Sequence, residues 1–308
     1  MMKIAIAGIG GVGGYYGGML AKHYANSEDV EVYFIARGEN EKAIKQNGLK
    51  LETKNGSFIV HPKLVTSNPN EIGIVDLLIC CTKGYDLEQS IQQLMPCINS
   101  NTVLLPLLNG VNSAERIRAI LPNNEVWDGC VYIVSQLAEP GVVKETGNPP
   151  RFVFGCKTGT DKKLKAVEKV FTDAGITTTL SDNILQAMWE KYLFLSPSAT
   201  ITSYTNKTMN EIAASDEYKK LLRQLISEIK PVAEKLGVLV PTDAFERTVD
   251  VMTKLPAGAT TSMHRDFQKG KATELDSLTG YVIKLGKQFG IAMPTYEMMY
   301  EELKRRSR

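Results

Sequence analysis

Residues 3–14 read KIAIAGIGGVGG, an apolar run at Lys3–Ala7 opening directly into a glycine-rich stretch at Gly8–Gly14. Gly8, Gly10 and Gly13 fall at the spacing G-x-G-x-x-G, between a segment that reads as a strand and the run YYGGMLAKHYA, which reads as a helix. This strand-turn-helix context separates a phosphate-binding turn from a loose linker. The first glycine permits a tight turn, the second lets the backbone approach a pyrophosphate on the helix N-terminus, and the third lets helix pack closely on strand. Gly8, Gly10, Gly11, Val12 and Gly13 are therefore expected to hold a dinucleotide.

A second strand, VEVYFIA at residues 30–36, arrives about twenty residues on, as such a unit requires. It ends in ARG, with Arg37 where the NAD pattern has an acid bonding the ribose 2′-hydroxyl, and with Glu39 displaced beyond Gly38. A guanidinium pairs with phosphate in two-pronged fashion, so NADPH is favoured over NADH; the alternative is a surface arginine there by coincidence.

Working outward, apolar runs alternate with helical stretches at IVDLLICCT (74–82), TVLLPLLNG (102–110) and EVWDGCVYIVSQ (125–136). Continuous apolar strands are those buried on both faces, and the alternation predicts an α/β fold with a Rossmann-type, doubly wound parallel sheet. LKLETKNGSFIVHPKLVT (49–66) carries an Asn55-Gly56 turn signal and reads as a hairpin appended to that sheet.

From Asp182 onward strand signals fade. Ser181 and Asp182 can cap a helix opening at NILQAMWEKYLFL, and long helical periods follow in EYKKLLRQLISEIKPVAEKLG, TDAFERTVDVMTK and ATELDSLTGYVIKLGKQFG. The expected division is an NADP-binding domain at 1–180 and an all-helical substrate and dimerisation domain at 181–308. Apolar helices of the latter offer a face for a second copy.

Composition agrees with a soluble globular chain: 308 residues, 43% hydrophobic, 23% charged, net charge +2. Basic residues are scattered until the terminal LKRRSR (303–308), which reads as a solvated helix end, so no nucleic-acid partner is expected. Five cysteines, Cys80, Cys81, Cys97, Cys130 and Cys156, include no C-x-x-C pair and suit free thiols of a reducing compartment. The N-terminal apolar run is too short for a signal peptide or a membrane span, so a cytoplasmic location is expected. His23, His61 and His264 are scattered, and no metal site is expected.

Two polar residues interrupt apolar helical stripes. Lys191 falls among Ile184, Met188 and Leu195 at about 100° per residue, and Glu274 shares a face with Leu278, Tyr281 and Leu285. Lys191 is either a lysine snorkelling its ammonium to solvent or a partly desolvated proton donor. Glu274 is either a first-turn edge residue or the partner of a catalytic ammonium. Lys83, after the strand in CCTKGYD, and Asn109, after that in LLPLLNGVN, sit where parallel sheets bind ligands, or are a loop lysine and an Asn-Gly turn.

With KIAIAGIGGVGG, ARG, TKGYD, NGVN, WEKYLF, SMHRDFQKGKATELDSLTG and GIAMPTYEMMYEELK in place, the chain resembles the ketopantoate reductases (2-dehydropantoate 2-reductases) over essentially its whole length. The resemblance implies NADPH-dependent reduction of a 2-keto acid, ketopantoate to pantoate in pantothenate and coenzyme A biosynthesis, with the site between a Rossmann domain and a helical domain. It makes Lys191 the general acid and Glu274 the second catalytic residue. Asn109 would lie between nicotinamide and substrate, Ser262 would bond the substrate carboxylate, and Lys83, Asn109 and Glu274 would also contact the cofactor.

The chain departs from the family pattern as well. Leu195 and Ala199 stand where the family has asparagines four and eight residues after the lysine, and Thr279 stands where it commonly has asparagine. Ser196, Ser198 and Thr202 are candidate substitute donors. The departures leave open a family member acting on another keto acid; a third reading is an NADPH-binding regulatory protein, which would have no use for Lys191 and Glu274.

Overall fold

The N-terminal apolar run forms strand β1 (Met2–Ala7), and the glycines open helix α1 (Gly11–His23). The chain continues through β2 (Val30–Ile35), α2 (Gly38–Asn47), β3 (Leu49–Thr53), β4 (Gly56–Val60), β5 (Leu64–Thr66), β6 (Leu77–Cys80), α3 (Leu87–Leu94), β7 (Val103–Pro106) and α4 (Ser113–Ile120). Then come β8 (Asp128–Glu139), β9 (Val142–Gly155), α5 (Lys162–Asp173) and β10 (Thr178–Leu180). This computed structural model describes residues 1–157 and 159–307, which leaves Arg308 of the basic tail outside the described residues.

The described chain divides into two compact units, Met1–Leu108 with Ser113–Ile184, and Asn109–Asn112 with Leu185–Arg308. In the first unit β5-β2-β1-β6-β7 form an all-parallel sheet, in the doubly wound arrangement the alternation predicts. Ile4, Ala5 and Ile6 are fully buried, because both faces of β1 are covered.

A second, mixed sheet corrects two expectations. EVWDGCVYIVSQ does not extend the parallel sheet: after a bridge from Val126 to Leu104, β8 turns away and pairs antiparallel with β9. The hairpin β3-β4 is not appended to the parallel sheet either, because β3 runs parallel to β9, giving the order β10-β9-β3-β4; only the trailing β5 joins the first sheet. Its turn falls at Lys54-Asn55, with Gly56 paired to Thr53.

Helix α1 explains the surplus glycines. A Cβ on Gly11 would strike the Ser135 backbone, one on Gly14 the Val143 side chain, and one on Gly18 would lie 3.3 Å from Leu51, all in the second sheet. A Cβ on Gly17 would lie 2.9 Å from Phe34 in the first. The helix thus lies against both sheets at close range.

The second unit comprises α6 (Ile184–Thr205), α7 (Met209–Ala214), α8 (Asp216–Lys235), α9 (Ala244–Lys254), α10 (Ser262–Gln268), α11 (Tyr281–Phe289) and α12 (Pro294–Arg306). Its core gathers Trp189, Tyr192, Leu222, Leu225, Leu278 and Met299. Ser181 accepts a hydrogen bond from the Asn183 amide just before α6, whereas the Asp182 carboxylate accepts one from the Thr160 hydroxyl. Among the described residues no helix is long and apolar enough to cross a membrane.

The helix read at ATELDSLTGYVIKLGKQFG is not one regular α-helix. Asp276–Gly280 form a π-helical turn before α11 begins at Tyr281. A wider turn carries fewer degrees per residue, so Glu274 does not share an α-helical face with Tyr281 and Leu285. It precedes the turn, its carbonyl accepting the Leu278 amide at 2.9 Å.

Candidate active site

In the first unit the glycine turn has the shape a pyrophosphate needs. Gly8 has φ +93°, and a Cβ there would approach the Cys81 carbonyl carbon to 2.9 Å, so both backbone sterics and space demand glycine. A Cβ on Gly13 would collide with the Gly8 carbonyl, whereas one on Gly10 would meet nothing within 4 Å. That open space lies at the N-terminus of α1, which has no side-chain cap and no acid in its first turn. Uncapped amides and the positive end of the helix dipole suit an anion. The buried Thr82 hydroxyl, beside Gly8, has no partner among the described residues. Val12 packs on the core.

Arg37 is exposed at the N-cap of α2, where its guanidinium donates to the Gln93 side chain. Asn40, one turn further on, escaped the sequence reading. Its Nδ2 donates to the Ile9 carbonyl at 2.8 Å, and its Oδ1 accepts the Gly141 amide at 2.8 Å. No local pattern signals it, since its partners lie 31 and 101 residues away. Half-buried Lys83 directly follows Thr82 and occupies the position just before the short turn Gly84–Asp86.

In the second unit three of the expected residues form a chain. The Lys191 ammonium donates to Asn109 Oδ1 at 3.2 Å, and Asn109 Nδ2 donates to Glu274 Oε2 at 3.3 Å. Lys191 and Asn109 are half-buried, and Glu274 is 3% exposed. One amide therefore points its oxygen at a cation and its nitrogen at a carboxylate, the orientation both charges favour.

The π-turn builds this cluster. Its irregular backbone leaves carbonyls available, and α6 takes them: the Tyr192 hydroxyl donates to the Ser277 and Leu278 carbonyls at 2.9 and 3.1 Å, and Ser196 donates to Leu278 at 2.6 Å. Gly110, with φ +96°, lets the Asn109–Asn112 loop lie against Ser277. Lys191 directly precedes Tyr192, and Glu274 lies three residues before Ser277, so these bonds fix the segments beside both.

Ser262 opens α10 and does not bond directly to this chain among the contacts described. It is linked to α6 through its neighbour Thr261, whose hydroxyl lies 3.1 Å from that of Thr202. Thr279 is fully buried and paired with Thr200 at 2.8 Å. Leu195 is half-buried and Ala199 buried. Among the described residues no three histidine, cysteine, aspartate or glutamate side chains group as a metal site.

The family profile described as ketopantoate reductase PanE/ApbA matches residues 4–159, and that of its C-terminal part matches residues 183–307. The chain belongs to the ketopantoate reductase family. It is therefore a member of a family of oxidoreductases that work with a nicotinamide cofactor. The uncharacterized oxidoreductase YkpB of Bacillus subtilis is 31% identical over 303 residues, covering 98% of either chain. The crystal structure of 2-dehydropantoate 2-reductase from Porphyromonas gingivalis is 35% identical, with a TM-score of 0.83 over 98% of this chain and 99% of that one. A PanE/ApbA family ketopantoate reductase from Ralstonia eutropha is 28% identical, with a TM-score of 0.88 over 99% and 98%.

Proposed function

We propose that this family member reduces a 2-keto acid with NADPH, and that the substrate is ketopantoate. The observation that carries the reading is the bonded chain Lys191–Asn109–Glu274. NADPH, when bound, supplies a hydride to the carbonyl carbon. Gly8, Gly10, Gly11, Val12 and Gly13 would hold its pyrophosphate on the N-terminus of α1, Arg37 its 2′-phosphate, and Lys83 would line the same site.

Charge develops on the substrate oxygen as the carbonyl is reduced, and Lys191 serves it twice: its ammonium stabilises the growing alkoxide and then gives it a proton. Asn109 holds that ammonium in place by accepting a hydrogen bond from it. Glu274, buried and bonded to the same amide, balances the positive charge and fixes which way the amide faces. Ser262 would bond the substrate carboxylate.

Leu195 and Ala199 favour a second reading, in which the site takes a keto acid other than ketopantoate. An alkyl group offers no hydrogen bond, and sites built to bond a hydroxyl discriminate strongly through that bond. The test is NADPH oxidation by the purified protein against a panel of 2-keto acids, with NADH alongside and Lys191→Ala as control. The first reading expects turnover of ketopantoate and a loss of about two orders of magnitude or more in the variant. Turnover of a different keto acid alone selects the second, and a panel silent throughout overturns both and leaves a regulatory NADPH-binding protein.

A further inference from the structure

Helix α6 carries five buried serines and threonines beyond Lys191: Ser196, Ser198, Thr200, Thr202 and Ser203. Three are committed. Ser196 bonds the Leu278 carbonyl at 2.6 Å and the Tyr296 hydroxyl at 2.9 Å, Thr200 pairs with Thr279 at 2.8 Å, and Thr202 donates to the Ser198 carbonyl at 2.7 Å and meets Thr261 at 3.1 Å. The hydroxyl oxygens of Ser198 and Ser203 have no partner among the described residues.

Helical geometry separates these two. At about 100° per residue, Ser198 returns to within about 20° of the Lys191 direction, whereas Ser203 lies about 120° away from it. Leu195 falls between Lys191 and Ser198, about 40° from the lysine. The face that carries the proton donor therefore reads ammonium, alkyl group, unpaired hydroxyl. The face turned to the π-turn, with Tyr192, Ser196 and Thr200, is fully bonded.

We infer that Ser198 binds the substrate, donating or accepting a hydrogen bond with a hydroxyl that the keto acid carries beyond an apolar branch. This rests on the reductase reading above and specifies its substrate. The carbonyl lies at Lys191, the branched carbon against Leu195, and the distal hydroxyl at Ser198. Seven residues of helix rise about 10.5 Å. Two hydrogen bonds of about 3 Å each, with roughly 5 Å of three-carbon chain between the two oxygens, span a similar length. A buried hydroxyl left unpaired is destabilising, so its placement on this face is accounted for by a partner that arrives with the substrate.

The experiment compares kcat/KM for ketopantoate and for trimethylpyruvate, which has the same branched skeleton without the hydroxyl, in the wild type, Ser198→Ala and Ser203→Ala. The wild type should prefer ketopantoate by about a hundredfold or more, since a site that bonds a hydroxyl rejects the analogue lacking it. Ser198→Ala should reduce that preference to within about tenfold by losing ketopantoate activity alone, with KM for NADPH and the thermal midpoint undiminished. Ser203→Ala removes an equally unpaired hydroxyl from another face and should leave the preference intact.

A wild type without the preference, a Ser198→Ala variant that retains it, or one that loses both substrates equally overturns the assignment. A wild type that reduces neither compound while oxidising NADPH with other keto acids also overturns it. Failure with every keto acid overturns the reductase reading itself, so the two failures are distinguishable.

Discussion

The side-chain amide of Asn40 donates to the carbonyl of Ile9 at 2.8 Å, tying the first turn of α2 to the middle of the glycine turn. The same amide accepts from Gly141 at the tip of the β8-β9 hairpin. A single residue thus holds the turn against both α2 and the second sheet. Because the amides proposed to hold the pyrophosphate are useful only when aimed in advance, Asn40→Ala should weaken NADPH binding about tenfold, or about 1.4 kcal/mol, and leave KM for the keto acid unchanged. Fluorescence titration with NADPH reads this directly, and an unaltered Kd would remove Asn40 from the cofactor site.

Arg37 bears on the choice between the two nicotinamide dinucleotides. It follows the end of β2, with Ala36 before it and Gly38 after it. Arg37→Glu exchanges the proposed phosphate partner for a partner of the ribose hydroxyl, so the ratio of kcat/KM with NADPH to that with NADH should fall by about a hundredfold. Steady-state kinetics with the two cofactors decide it. A ratio that stays put means that the 2′-phosphate is bonded elsewhere.

How far these features could be read in advance depends on how local their causes are. The parallel sheet was legible because burial on both faces of β1, β6 and β7 leaves unbroken apolar runs. The second sheet was not, because it joins residues 49–60 to residues 142–155 and its long β8-β9 hairpin ends in exposed residues such as Val134 and Leu137. Lys191 stood out as a charge on an apolar stripe, and it does bond Asn109. Glu274 stood out too, yet its helical face was misplaced, since a count at α-helical pitch cannot anticipate the π-turn at Asp276–Gly280. Asn40 gave no signal, as nothing local marks a side chain whose partners are remote in sequence.

The pair Thr200–Thr279 ties α6 to the π-turn with one buried hydrogen bond. Replacing one hydroxyl by a methyl group leaves the other buried and unpaired, so Thr200→Val should cost about 1–3 kcal/mol. Replacing both removes the orphan, and the double variant Thr200→Val with Thr279→Val should recover most of that loss. Thermal or urea unfolding of the two single variants and the double variant measures the coupling. Additive losses would mean that the two hydroxyls are not paired in solution.

His264 couples the stability of the helical unit to pH. It is buried, with Nδ1 2.6 Å from the Thr260 hydroxyl and Nε2 2.8 Å from Asn206 Oδ1. Burial lowers its pKa from the ordinary 6.5, the neighbouring Arg265 lowers it further, and the Glu211 carboxylate opposes both. The folded chain therefore holds the ring neutral over a range in which the unfolded chain has already taken up a proton. More protons bound in the unfolded state means that stability rises with pH. This contribution is fully present above pH 6.5, and it declines as pH falls from there through the lower folded-state value. His264→Gln keeps a polar group in place but does not titrate, so the variant should lose less stability than the wild type between about pH 7 and pH 5. Thermal midpoints followed across that interval test it. Parallel curves for the two proteins would show that His264 does not drive the pH dependence.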